Sequence, residues 1–467
     1  VFMVGGAPAD VDRVRPLLDV MGHAVHHLGA LGAGHAMKCL NNMITAMNLM
    51  VLAEGLVIGT RHGLDPAAMT EVLNHGAATH PDRLWLAERD GEGWAEHTYG
   101  QGAAAVKALA GGLAGLGLTR GTTLLILARN SIDQALVSYA AMSLGAPIAP
   151  VSPQYGLAGA DLSRLGYAVD LIKPVAVYVD DAAAFAGALE APFLAGLPVI
   201  VSRNGRAGDH SLADLLTADP MAPTAQPGDI AKLLLTSGST GKPKAVVGLH
   251  RNICINAAQI TACFDDPEPP VVVNSAPWSH SLGANSILHM VTHRGGSLYI
   301  DAGQPTPERF AETLLNLKEI SPTYHNMVPA GWGLFAGALE QDEELARTFF
   351  ARVRVLQYGG ANLAQSVCDR IQAVSVRLTG ERLTFATGYG STETGPTACN
   401  IHWLNDRTGM CGLPVPVPNH AERMVRMAIR MVHITREHAM EHGVSMKLRV
   451  GINSGPVVAG VIGKSKY

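Results

Sequence analysis

From about residue 77 to residue 410 the chain repeats one pattern: an apolar run of strand length, then a stretch with helical spacing. The runs fall at 123–128 (TLLILA), 175–179 (VAVYV), 198–202 (PVIVS), 232–235 (KLLL), 271–273 (VVV), 297–300 (SLYI), 353–357 (VRVLQ) and 383–386 (LTFA). Stretches such as 101–116 and 131–144 have helical character and lie between them. Short, unbroken apolar runs suit strands buried on both faces, and intervening helices supply the cover. The pattern therefore predicts an α/β fold built on mostly parallel sheets. Hydrophobic residues make up 48% of the chain, enough for a sizeable core.

Both ends break the pattern. Residues 1–75 are rich in Gly, Ala and Met. They read as a strand at 1–4, a helix with Val11, Val14, Leu17 and Leu18 on one face, and a second strand ending near Leu28. Gly32-Ala33-Gly34 then opens a long helix over 35–63, and a short helix over 64–75 starts at Asp65-Pro66. At the other end, 419–442 reads as a helix carrying Met424, Met427, Met431 and Ile434, a stripe that fits helix core. A strand follows, with Met446, Leu448, Val450 and Ile452 alternating with Lys447 and Arg449. The length of 467 residues predicts about three domains, and the texture changes agree.

Charge narrows the function. Lys and Arg total 35 against 39 Asp and Glu, a net charge of −4, and no basic run stands out, so neither nucleic acid nor an anionic membrane is an expected partner. The longest apolar stretch, 39–53, is interrupted by Asn41, Asn42 and Asn48 and is too short to span a bilayer. The chain starts at Val1 with no secretory signal visible. Its six cysteines are scattered without a C-x-x-C, which fits a reducing compartment. The expectation is a soluble, cytoplasmic protein.

One string carries the chemistry. Thr236, Ser237, Gly238, Ser239, Thr240, Gly241, Lys242, Pro243 and Lys244 follow the apolar run at 232–235 directly. Glycines and hydroxyls in succession leave backbone N–H groups free to cradle anionic oxygens, and Lys242 and Lys244 add positive charge for a polyphosphate. The spacing is not that of a Walker A loop. The string resembles the phosphate loop of the adenylate-forming (acyl-CoA synthetase, AMP-binding) superfamily. A second string, Gly388-Tyr389-Gly390-Ser391-Thr392-Glu393-Thr394-Gly395, resembles that family's second core motif, about 150 residues on and in family order.

The resemblance implies specific roles. Tyr389 and Gly390 would lie by the adenine, Thr392 would meet the α-phosphate, and Glu393 would help bind Mg²⁺. Pro277-Trp278-Ser279-His280 resembles the segment whose His lies beside the acyl carboxylate, making His280 a candidate for both substrate binding and catalysis. Tyr358-Gly359-Gly360-Ala361 resembles the adenine-facing turn, with Gly359, Gly360 and Ala361 close to the base. Within the superfamily, the motifs and the segment around Ala330-Gly331-Trp332 resemble feruloyl-CoA synthase-like ligases. The family's Tyr-x-Thr-Gly-Asp segment and the lysine of its small C-terminal domain are not found after Glu393. The implied activity is ATP-dependent adenylation of an aryl acid such as a hydroxycinnamate, the first half of an acyl-CoA ligase reaction, impaired because the small C-terminal domain is missing, and transfer to CoA more so.

The ends resemble other families. Gly32-Ala33-Gly34-x-x-x-Lys38-x-x-Asn41-Asn42 is similar to 3-hydroxyisobutyrate dehydrogenases, where the resemblance makes Lys38 the proton-transferring residue and Asn42 a substrate contact. Spaced i and i+4, the two share one helix face. The G-x-G-x-x-G fingerprint is absent, since Gly5-Gly6 is not that motif, so NAD is not expected to bind. Residues from about 412 to 467, through His420-Ala421-Glu422-Arg423 to Gly451-Ile452-Asn453-Ser454-Gly455, resemble class III nucleotide cyclases without their metal-binding aspartates. Gly412-Leu413-Pro414-Val415-Pro416 suits both the ligase and the cyclase family, a natural place for a join.

The reading is thus a chimera: a dehydrogenase-like helical fragment at 1–76, the large N-terminal domain of an adenylate-forming ligase at 77–411, and a small α+β cyclase-like fragment at 412–467. The expected partners are ATP, Mg²⁺ and a small carboxylic acid, with CoA as co-substrate; an oligomer is possible because the 35–63 helix would want a partner. The alternatives are an inactive fusion that still binds nucleotide and, further behind, a β-hydroxyacid dehydrogenase fragment or a cyclase. Unpartnered apolar faces at both ends predict a solubility liability, relieved by trimming to about 77–416.

Overall fold

The computed structural model describes residues 2–21, 25–31, 69–236, 243–264, 266 and 268–409. It divides into two compact units, one of residues Val1–Glu54 with Pro414–Tyr467 and one of Gly55–Leu413. In the first, strands Phe2–Val4 and Val25–His27 pair in parallel, with helix Pro8–Met21 connecting them. Of the four apolar residues expected on one face of this helix, Val11 is buried, whereas Val14 and Leu17 are exposed. The 35–63 helix, the Lys38/Asn42 pair and everything expected beyond 411 lie outside the described residues.

Among its described residues the second unit has three sheets, and all eight apolar runs lie in strands of them. The seven-stranded sheet runs, in spatial order, Lys244–Leu249, Ile230–Thr236, Ile148–Pro150, Leu124–Leu127, Ala176–Asp181, Val199–Arg203 and His210–Ser211. A four-stranded sheet orders Val271–Asn274, Ser297–Ile300, Leu84–Asp90 and Gly93–Thr98. The other four-stranded sheet orders Tyr324–Met327, Val355–Tyr358, Thr384–Ser391 and Gly395–Ile401. Each is parallel apart from one antiparallel hairpin at its edge. The parallel part follows from the helical crossovers, which leave central strands dry on both faces: Leu124, Leu125, Ile126 and Leu127 are all fully buried.

Of the short helix expected at 64–75, residues 64–68 lie outside the described residues; the described helix is Met69–Thr79, which runs past 75. It spans residue 76, where the sequence suggested a boundary. The reason is packing: Leu73 is buried in the same core as Trp85, Tyr99 and Tyr139, with Val72 and Ala77 against it. Helix Tyr99–Gly115 starts at a capping box, in which Thr98 accepts from Gln101 N–H and the Gln101 side chain accepts from Thr98 N–H. A separate core gathers Trp332, Phe335, Phe349, Leu356 and Phe385 behind the last sheet. Among the described residues, no helix is long and apolar enough to cross a membrane.

Candidate functional site

Thr236 ends the strand Ile230–Thr236, and Lys244 begins the strand that returns beside it; the two residues are register partners. The two strands are therefore the arms of an antiparallel hairpin. Ser237, Gly238, Ser239, Thr240, Gly241 and Lys242 lie outside the described residues, while both flanks are placed. Lys244 is exposed. The returning strand Lys244–Leu249 leads straight into helix His250–Cys263.

The second string forms another edge hairpin. Strand Thr384–Ser391, which contains Tyr389 and Gly390, pairs antiparallel with Gly395–Ile401, Tyr389 opposite Cys399 and Ser391 opposite Gly395. Thr392–Thr394 is the one-turn connection, with Glu393 exposed on it. Gly395 closes the turn at φ +81°, and a Cβ there would lie 2.9 Å from Asn256 Nδ2 of helix His250–Cys263. Positive φ and the close approach both require glycine. The Thr392–Thr394 turn also contacts strand Lys244–Leu249. The strand and helix that follow the first string thus pack against the turn of the second, 150 or so residues on.

The remaining candidates arrive from a third direction. Gly359, Gly360 and Ala361 follow strand Val355–Tyr358, with Gly360 at φ +83°. A Cβ on Gly359 would meet Leu282 Cδ1 at 3.6 Å. Leu282 opens a π-helix, Leu282–His289, two residues after His280. The helix fixes His280 twice. Its carbonyl accepts from Ala284 N–H at 3.0 Å, and its ring Nδ1 accepts from Leu282 N–H at 3.3 Å. With Nδ1 an acceptor, the proton of the neutral ring sits on Nε2, and partial desolvation holds the imidazole below its usual range. His280 itself stays exposed enough to reach a ligand.

Sequence spacing gave no sign of Asn130. Its side-chain amide donates to Ala276 O at 2.9 Å, and its carbonyl accepts from Trp278 N–H at 2.9 Å. This two-way clamp anchors the segment just before His280 to the loop that joins strand Leu124–Leu127 to helix Ile132–Ser143, across nearly 150 residues of chain. The π-helix is a second feature that no spacing rule marked. It touches helix His250–Cys263 and strand Gly395–Ile401 as well as the Gly359 turn.

Residues 73–422 match the family model described as AMP-binding enzyme. The chain belongs to the AMP-binding enzyme family. Among its relatives, a Mycobacterium tuberculosis protein named as a ligase, Rv1013, is 31% identical over 271 residues, 56% of this chain and 46% of that one. The 4-coumarate–CoA ligase-like protein 5 of Oryza sativa subsp. japonica is 26% identical over 313 residues, 64% of this chain and 53% of its own. The chain thus spans about half the length of the curated ligases it matches. The anthranilate CoA ligase AuaEII, solved in complex with anthranoyl-AMP, superposes with a TM-score of 0.60 at 18% identity over 70% of this chain and 60% of that one, which shows a shared fold.

The ends match other families. Residues 32–89 match the model described as NAD-binding of NADP-dependent 3-hydroxyisobutyrate dehydrogenase, and 408–467 that of the adenylate and guanylate cyclase catalytic domain. The AMP-binding match begins at 73, inside the Met69–Thr79 helix that packs in the large unit.

Glu393 is the carboxylate of the second string. Among the described residues no cluster of three or more His, Cys, Asp or Glu side chains is arranged to hold a metal ion. The exposed carboxylate of Glu393 is an oxygen donor of the kind a hard divalent cation such as Mg²⁺ would take, and Glu393 would be the residue to hold that ion.

Proposed function

We propose that the large unit catalyses ATP-dependent adenylation of an aryl carboxylic acid, the first half of an acyl-CoA ligase reaction. The observation that carries this reading is the contact between strand Lys244–Leu249, which emerges from the phosphate loop, and the turn bearing Thr392 and Glu393. In the reaction a carboxylate oxygen attacks the α-phosphorus of ATP, the bond to the bridging β-phosphate oxygen breaks, and pyrophosphate leaves. The chemistry needs in-line positioning and charge neutralisation more than a covalent protein group.

The loop 236–244 grips the pyrophosphate portion, with Lys242 and Lys244 offsetting its charge. Gly359, Gly360 and Ala361 let the backbone approach the adenine alongside Tyr389 and Gly390. Thr392 meets the α-phosphate, and His280 offers Nε2–H to the acid's carboxylate. Mg²⁺, held by Glu393, would neutralise phosphate charge. The names of two similar proteins, a 4-coumarate–CoA ligase-like protein and an anthranilate CoA ligase, support an aryl acid, and a hydroxycinnamate is the first to try. Transfer to CoA is not assigned to the residues described here.

ATP–pyrophosphate exchange in the full chain, with 4-coumarate, ferulate and anthranilate, is the test. We expect acid-dependent exchange that falls by about 10²-fold or more in Thr240→Ala and Glu393→Ala, the scale of losing one preorganised electrostatic contact. ATP binding and exchange unchanged in both variants would overturn the site. Specific ATP binding without any acid-dependent exchange would favour the alternative of a fusion that only binds nucleotide.

A further inference from the structure

Lys232 sits in the middle of strand Ile230–Thr236 and is 2% exposed. Its Nζ donates to His289 Nε2 at 2.7 Å and to Asn285 Oδ1 at 3.3 Å, both on the π-helix and both buried. The polarity then continues in one direction. His289 Nδ1–H donates to the Tyr139 hydroxyl at 2.9 Å, Tyr139 donates to Thr292 Oγ1 at 3.1 Å, and Thr292 donates to Leu288 O at 2.8 Å. Trp85 Nε1–H adds a donor to Thr292 at 2.9 Å. With Lys232 donating, each of these side chains passes one hydrogen bond to the next, which links the strand, the π-helix and Tyr139 in one buried network.

Lys232 forms no ion pair with a carboxylate among the described residues, and burial pulls its ammonium down to about 7. An apolar residue would fill the same inward position of the strand with less desolvation. The placement makes sense as a tether. Asn285 and His289 lie along a helix whose first turn holds both the carbonyl and the ring of His280. The same helix touches helix His250–Cys263, strand Gly395–Ile401 and the Gly359 turn. A π-helix is wider and less self-supporting than an α-helix, and such segments gather at functional sites.

We propose that Lys232 is a positioning residue: through Asn285 and His289 it ties the strand entering the phosphate loop to the Leu282–His289 helix, and so sets where His280 stands relative to that loop. The kinetic consequence rests on the adenylation reading; the structural one does not.

The experiment uses the full chain with Lys232→Met, which keeps an unbranched apolar stem and removes the donor. Amide hydrogen exchange should quicken about tenfold or more over 280–290 while the segment 324–339 keeps its wild-type rates. In ATP–pyrophosphate exchange the KM for the acid should rise about tenfold with the KM for ATP within about twofold, the split expected when His280 moves and the loop does not. Unchanged exchange over 280–290, or uniform acceleration across the large unit, would overturn the proposal. If Lys232→Met does not fold, Asn285→Ala decides: acceleration confined to 280–290 supports the tether and none refutes it. If the wild-type chain shows no acid-dependent turnover, the adenylation reading fails and the amide-exchange result still stands on its own.

Discussion

Gly283→Ala tests how tightly the His280 segment is built. A Cβ on Gly283 would lie 2.3 Å from Ala276 O and 2.5 Å from Pro277 O. These are 1.1 and 0.9 Å inside the 3.4 Å at which ordinary van der Waals contact begins. Both obstacles are backbone atoms, so no side-chain rotation relieves them. The loop cannot easily retreat either, because Asn130 holds Ala276 O and Trp278 N–H together. Overpacking of this kind costs about 1–3 kcal/mol. If Ala276 O is pushed off its Asn130 donor, about 1 kcal/mol more is lost. The expected destabilisation is therefore about 2–4 kcal/mol.

Urea unfolding followed by tryptophan fluorescence reads this directly, since all five tryptophans lie in the large unit. With an m-value of about 3 kcal/mol/M, the midpoint should fall by about 1 M. A fall of less than about 0.2 M at unchanged m would refute the packing argument.

Three further outcomes are expected. Asn130→Leu, which removes both halves of the clamp at similar volume, should cost about 2–3 kcal/mol in the same assay and raise the acid KM; a neutral result would show that the loop is held elsewhere. A chain cut at residue 77 should be less stable than one cut at 69 by about 2–3 kcal/mol or more, because the first loses Leu73, 1% exposed in the core; equal midpoints would remove the helix from the core. His250, His293 and His325 are held by burial at about 4, about 4 and about 3, and His289 well below its usual range. The unfolded chain binds these protons first, so stability should fall as pH drops from about 6.5 toward 4. His325→Phe should flatten that limb and stabilise the protein: the ring lies among Trp332, Phe335 and Phe349, and neither nitrogen has a hydrogen-bond partner among the described residues. An unchanged pH dependence in His325→Phe would refute this assignment.

Much of the large unit's fold was legible in local pattern. Runs such as 124–127 and 177–179 are apolar without interruption because both faces of their strands are covered, and that registers in sequence whatever the strand order. Other strands were harder: Gly93–Thr98, the outer arm of an edge hairpin, carries no apolar run, and the interior strand Ile148–Pro150 has too few residues for any period. The helix Met69–Thr79 runs past its expected end at 75 because Leu73 and Ala77 answer to a core assembled from residues far along the chain.

The site divides in the same way. The strings at 236–244 and 388–395 were readable alone, since phosphate binding by backbone N–H groups demands glycines and hydroxyls in one short segment. What those strings meet was not. Asn130, Lys232 and Asn285 act on groups 50 to 150 or so residues away, Gly283 on the loop six and seven residues before it, and a lone Asn or Lys in a sequence carries no mark of its partner.

The sequence by itself determined the α/β class, the order of the chemical motifs and the change of family texture at each end, because each depends on contiguous residues. Only the tertiary structure decided that strand Lys244–Leu249 touches the Glu393 turn, that a π-helix joins His280 to the Gly359 turn, and that a buried lysine holds that helix. Those are long-range contacts, set by how sheets and helices pack against one another, and packing is a property of the whole chain rather than of any segment in it.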